Sequence, residues 1–90
     1  MEKKKVAIIG VTGSVGQEFV QSLNDHPWFE VTQIAASERS AGKSYLDAIR
    51  NEGGIIMWDV GGEIPEYIKS MKVKTVDELD TSQLDLVFSA

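Results

Sequence analysis

The stretch VAIIGVTGSVGQEFVQSL, residues 6–23, begins as an unbroken apolar run and ends on a helical pattern, with Gly10, Gly13 and Gly16 spaced three apart at the handover. No other segment restricts the fold as much. Val6–Ile9 run without alternation, as suits a strand covered on both faces, so Lys4–Val11 is expected as a buried strand of a parallel sheet. A helix is expected from about Ser14, where Ser14-Val-Gly-Gln17 has the form of a capping box. Val15, Phe19, Val20 and Leu23 fall on one helical stripe. Pro27 disfavours a helical His26, so the helix should end within Asn24-Asp-His-Pro27.

A turn leading straight from a buried strand into a helix gathers backbone N–H groups at one place. The helix N-terminus adds about half a positive charge, and glycines leave room for a pyrophosphate to approach the backbone. The spacing here is Gly-x-x-Gly-x-x-Gly, and Gln17 follows the third glycine. The Gly-Lys-Ser/Thr ending of a nucleoside-triphosphate loop is missing, which disfavours a nucleoside triphosphatase. A tight packing turn has the same spacing; the strand before and the helix after favour dinucleotide binding. In that reading Gly10 permits the turn, Gly13 lets the backbone reach phosphate, and Gly16 packs on the strand. Thr12 and Ser14 can add hydroxyl bonds, although Ser14 is equally suited to capping the helix.

Phe29–Ala36 is expected as a second strand, followed by the polar loop Ser37–Gly42. Ile64, Tyr67, Ile68 and Met71 sit at helical spacing with Pro65 in the first turn. Val73–Val76 reads as a short strand and Leu84–Ala90 as a buried one. Between Gly53-Gly54 and Gly61-Gly62, IIMWDV is either a short strand or an apolar flap. The order of elements implies an α/β fold with a parallel sheet.

The cofactor is tested about 20 residues past the glycine turn, where an acidic residue selects NAD and an arginine accommodates the 2′-phosphate of NADP. The sequence there is Ser37-Glu-Arg-Ser40. The usual acidic position, the strand's last residue, falls on Ala36 or Ser37, and Glu38 comes one step late. Arg39 between serines is a donor cluster suited to a phosphate dianion, so NADP is favoured.

Composition narrows the function. A net charge of −5 argues against nucleic-acid binding through bulk electrostatics. No run approaches the ~18 apolar residues of a membrane span. Cysteine is absent, so the chain offers no disulfide, thiolate metal site or thiol nucleophile, and a cytoplasmic location is expected. The acidic residues Glu63, Glu66, Asp77, Glu78 and Asp80 lack metal-loop spacing, so no metal is expected. Trp28 and Trp58 are expected to pack over the core.

GVTGSVGQEFVQSLNDHPWFEV followed by AASERSAGKSY resembles the start of the aspartate-semialdehyde dehydrogenases of the archaeal and fungal kind; IPEYIKSMKV and LDLVFSA fit the same pattern. The resemblance covers nearly the whole chain and is weakest over residues 49–62. It implies a Rossmann-like parallel sheet with flanking helices, present in part as the first mononucleotide-binding half. Residues 1–90 would be the N-terminal part of a dinucleotide-binding domain, with the catalytic and substrate parts elsewhere. The implied enzyme is NADP-dependent, reductively dephosphorylates aspartyl phosphate to aspartate semialdehyde in amino-acid biosynthesis, and is a homo-oligomer at full length. Thr12, Gly13, Ser14 and Val15 would surround the pyrophosphate, with Gly10 and Gly16 shaping the turn. Ser37, Arg39 and Ser40 would contact the ribose phosphate, and Ser89 would approach the cofactor where the strands end.

The family's cysteine nucleophile has no counterpart here, and the single histidine, His26, sits in a turn beside Pro27. No catalytic residue is therefore expected within these residues, and the chain alone should be inactive. Related readings are N-acetylglutamyl-phosphate reductase, malonyl-CoA reductase, and a stand-alone nucleotide-binding module. The apolar LDLVF strand is expected to be an association surface.

Overall fold

The computed structural model describes residues 2–90. Its elements are β1 (Lys4–Ile9), α1 (Ser14–Ser22), β2 (Phe29–Ala35), α2 (Tyr45–Ala48), α3 (Glu66–Lys69), β3 (Val73–Lys74) and β4 (Leu86–Ser89). Two short 3-10 turns, Val76–Glu78 and Thr81–Gln83, carry the chain from β3 to β4. The strands form one parallel sheet in the order β3-β2-β1-β4. This is the expected α/β, Rossmann-like architecture.

Why β1 lacks alternation is visible in its burial: Val6, Ala7 and Ile8 have no exposed surface, so neither face can carry a polar residue. Val6 and Ile8 join Val20, Leu23, Val31, Ile34, Tyr45, Ile49, Ile68 and Val73 in the core. Gln33, paired in register with Ala7, uses its amide on the chain that crosses from β3 to β4. Its Oε1 accepts from the Asp80 N–H at 2.8 Å, and its Nε2 donates to the Asp80 carbonyl at 3.0 Å.

The imperfect alternation of β2 also has a cause. Val6 pairs with Val31 but Ala7 pairs with Gln33, so Thr32 is the extra residue of a bulge. The bulge shifts the phase of everything after it.

Several expectations are corrected. β1 stops at Ile9, because Gly10 turns into the left-handed region at φ 76°. α1 ends at Ser22, ahead of the proline, and Asp25 takes a left-handed φ of 54°. Val15 is 58% exposed and off the buried stripe, whose places are taken by Gly16, Gln17 and Val20. Pro65 precedes α3 as its cap residue. β3 is only two residues long, and Val76 already belongs to the following turn. β4 is not buried: Leu86 and Val87 are 45% and 43% exposed, and the strand lies at the edge of the sheet among the described residues. Trp58 packs on the core as expected, whereas Trp28 is 65% exposed.

Candidate functional site

The sheet order reverses between β1 and β4, and in open α/β sheets ligands bind beyond the carboxyl ends of strands at such a point. The glycine turn lies there. The Gly10 and Val11 N–H groups both donate to the Ala35 carbonyl, at 2.9 and 3.2 Å, which ties the turn to the end of β2. On the other side the Ala90 N–H donates to the Ile9 carbonyl at 2.9 Å, and Ser89 pairs with Ile9. The backbone contacts thus bring Gly10, Ser89 and the end of β2 to one rim.

Each glycine has its own geometry. Gly10 needs its positive φ, and a Cβ there would meet the Ala90 carbonyl oxygen at 3.0 Å. Gly16 allows helix and strand to touch: a Cβ would lie 2.1 Å from the Gly10 carbonyl oxygen and 2.7 Å from Val11 backbone atoms. Gly13 is extended, at φ −78° and ψ 175°, and its nearest neighbour would be 3.9 Å from an added Cβ. The space at Gly13 is therefore open towards solvent, as a phosphate would require.

The capping box is not formed. Gly13 is the N-cap residue and no side chain caps α1. Among the described residues, the Thr12, Ser14, Val15 and Gly16 N–H groups find no acceptor within the chain. First-turn amides have no intrahelical partner, and here no serine substitutes for one. Thr12 is half-buried, and Ser14 and Val15 are exposed beside them. This is a set of free donors gathered at a helix N-terminus, suited to an anion.

The second group stands past β2. The strand ends at Ala35, one residue earlier than expected, so Glu38 lies three residues beyond its end and off the usual acidic position. Ser37–Ser40 is a tight turn, with the Ser40 and Ala41 N–H groups donating to the Ser37 carbonyl at 3.0 and 3.1 Å. Arg39 and Ser40 line a polar cavity of about 490 Å³ with Lys43, Arg50, Asn51 and the acidic Glu52. Arg50 is engaged, its Nε 3.3 Å from the Asp47 carboxylate; Arg39 and Lys43 make no ion pair among the described residues. Lys43 and Arg50 were not read as site residues from the sequence. The signal for Lys43 was its place just past the Ser37–Gly42 loop. Arg50 carried none, since the chain between it and the loop had no readable period.

Tyr45 supports the turn from below. It is fully buried, and its hydroxyl donates to the Val11 carbonyl at 3.1 Å. Burial pushes its phenol well above the usual range, and the nearby Tyr67 adds to the shift. Among the described residues no group of three or more His, Asp or Glu gathers where it could hold a metal. Nor is any helix among them long and apolar enough to cross a membrane.

A family model described as semialdehyde dehydrogenase, NAD binding domain, matches residues 5–90. The chain is 42% identical over 85 residues to an aspartate-semialdehyde dehydrogenase of Methanothermobacter thermautotrophicus, covering 94% of this chain and 22% of that protein. It is 36% identical over 85 residues to a malonyl CoA reductase (NADP) of Metallosphaera sedula, covering 94% of this chain and 22% of that one. Its fold superposes on aspartate semialdehyde dehydrogenase with NADP from Candida albicans with a TM-score of 0.83 and 38% identity, over 99% of this chain and 23% of the other. The chain thus spans less than a quarter of the length of the relatives it matches.

Proposed function

The chain belongs to the semialdehyde dehydrogenase family, through its NAD-binding domain, and on that premise we propose that it is the NADP-binding N-terminal part of an aspartate-semialdehyde dehydrogenase. The observation that carries this reading is the set of partnerless N–H groups at Thr12 and the first turn of α1, set at the point where the strand order reverses. The turn residues Gly10, Thr12, Gly13, Ser14, Val15 and Gly16 hold the pyrophosphate. Ser37, Arg39 and Ser40, joined by Lys43, hold the 2′-phosphate. Ser89 lies at the rim. When bound, the nicotinamide supplies the hydride exchanged in reducing an acyl group to an aldehyde. This chain's part is to bind and orient the adenosine and pyrophosphate; thiol and acid–base chemistry require residues other than these.

The substrate proposed for the whole protein is aspartyl phosphate. Malonyl-CoA is the second reading, supported by the similarity to the Metallosphaera sedula reductase. Cytoplasmic location and homo-oligomerisation at full length belong to the same proposal.

Titration with NADP and NAD tests it. The parent should bind NADP about 10- to 100-fold more tightly, since charge-assisted hydrogen bonds contribute about 1.5–3 kcal/mol. Arg39→Ala should lose most of that preference and leave NAD binding unchanged. Equal affinity for both cofactors, unaltered by the substitution, would sink the assignment. Phosphate-dependent NADP reduction with aspartate semialdehyde should be absent for these 90 residues alone and present in a full-length polypeptide carrying them.

A further inference from the structure

Gln17 is 1% exposed in the first turns of α1, and both ends of its amide are used. Its Nε2 donates to the Thr12 carbonyl at 3.1 Å and to the Met57 carbonyl at 2.9 Å. Its Oε1 accepts from the Asp59 N–H at 2.8 Å. One helical turn on, Gln21 Nε2 donates to the Gly61 carbonyl at 2.9 Å, where the Trp58 indole N–H also donates at 3.0 Å. Residues 57–61 are thus strapped along one face of α1. Met57 is 44% exposed and Trp58 packs on the core, so one apolar side chain and these hydrogen bonds together seat the strap.

We infer that Gln17 is a positioning residue for the pyrophosphate turn, and that it couples this turn to the strap at residues 57–61. The inference rests on the dinucleotide-binding reading and deepens it. A peptide unit is planar, so fixing the Thr12 carbonyl also fixes the Gly13 N–H across the same bond, which donates to the Gly10 carbonyl at 3.4 Å and holds the turn in the shape that presents its free donors. The Gln17 amide is planar as well. It cannot turn to follow a moving strap without losing Thr12, because its donor and acceptor ends are both engaged. Binding at the turn and seating of the strap therefore influence one another to the same degree, as any linked equilibria must.

Trp58 reports on the strap, and Trp28→Phe removes the other indole. In that background NADP should shift Trp58 fluorescence in step with binding. Adding Gln17→Leu should weaken NADP about tenfold or more, within the span of one coupling between sites, and abolish the fluorescence response. Binding of 2′-AMP, which carries the 2′-phosphate without a pyrophosphate, should be unchanged. Parent-like NADP affinity in Gln17→Leu overturns the inference, as does an equal loss for NADP and 2′-AMP. Should Gln17→Leu fail to fold, Gln17→Glu keeps the acceptor for Asp59 and loses the donors. Its NADP affinity relative to the parent should recover as the pH falls towards about 5, because burial at this 1% exposed position raises the introduced carboxyl above its ordinary value and lets it gain a proton there; no recovery overturns the inference. A parent that binds neither nucleotide fails the cofactor reading itself, and this one with it. A parent that binds both while Gln17→Leu changes nothing fails only the inference.

Discussion

A methyl group added at Gly16 would sit 2.1 Å from the Gly10 carbonyl oxygen and 2.7 Å from the Val11 backbone. Inside a helix, alanine ordinarily gains about 0.5–1 kcal/mol over glycine. Here the obstacle is backbone that cannot rotate aside, and overpacking of that kind costs about 1–3 kcal/mol or more. Gly16→Ala should therefore lower the denaturation midpoint, and a stabilised variant would refute the close packing. At Gly13 the added methyl group meets nothing nearer than 3.9 Å, and the backbone is already extended. Gly13→Ala should stay within about 0.5 kcal/mol of the parent yet bind NADP markedly more weakly, because its Cβ stands where phosphate approaches. Parent-like affinity would remove Gly13 from the cradle. The close packing at Gly16 follows from a glycine placed where a strand turns straight into a helix. What Gln17 does was not legible in the sequence: Ser14-Val-Gly-Gln17 and Thr75-Val-Asp-Glu78 share one capping pattern, but only the second closes. The Glu78 carboxylate accepts the Thr75 N–H at 2.8 Å, and that bond holds its carboxyl below the usual range. Gln17 is drawn instead to carbonyl and amide groups forty residues away, a long-range partner that no local pattern encodes.

Elements with a repeating period were legible, and those held by single contacts were not. β1, α1 and β2 follow from runs and stripes that burial enforces. Residues 50–62 carry no period because their order comes from turns and side-chain bonds, such as Asn51 Oδ1 accepting the Gly53 and Ile55 N–H groups at 2.9 and 3.0 Å. IIMWDV forms no strand, only an isolated antiparallel bridge between Arg50 and Ile56. β4 was read correctly as a strand and wrongly as buried, since an apolar run does not say whether its second neighbour is present. Its outer edge is unpaired among the described residues, and Leu-Val-Phe-Ser carries no charge to discourage pairing. Light scattering should show association that grows with concentration, and Val87→Lys should suppress it. A parent that stays monomeric at high concentration would contradict the edge argument.

The whole molecule is small enough for ligand binding to dominate its stability. Its radius of gyration is 12.3 Å, close to the roughly 12 Å of a compact chain of this length. Even so, a domain of this size buries only about 60% of its unfolded surface or a little more, so its unliganded stability should be modest. The turn, the end of β2 and the end of β4 meet at one rim, so a cofactor bound there bridges three strands and stabilises only the folded state. At a free NADP concentration of about 100 times Kd, mass action adds about 2.7 kcal/mol. For a domain of this length each kcal/mol raises Tm by about 4–8 °C, so a rise of roughly 10–20 °C is expected. Gly13→Ala should keep the unliganded midpoint and lose most of the rise, whereas Gly16→Ala should lower the midpoint itself. NAD at the same concentration should give a much smaller rise, because it offers nothing to Arg39 and Lys43. A parent whose Tm does not move at saturating NADP would refute the assignment of the rim as a cofactor site, whatever the sheet order suggests.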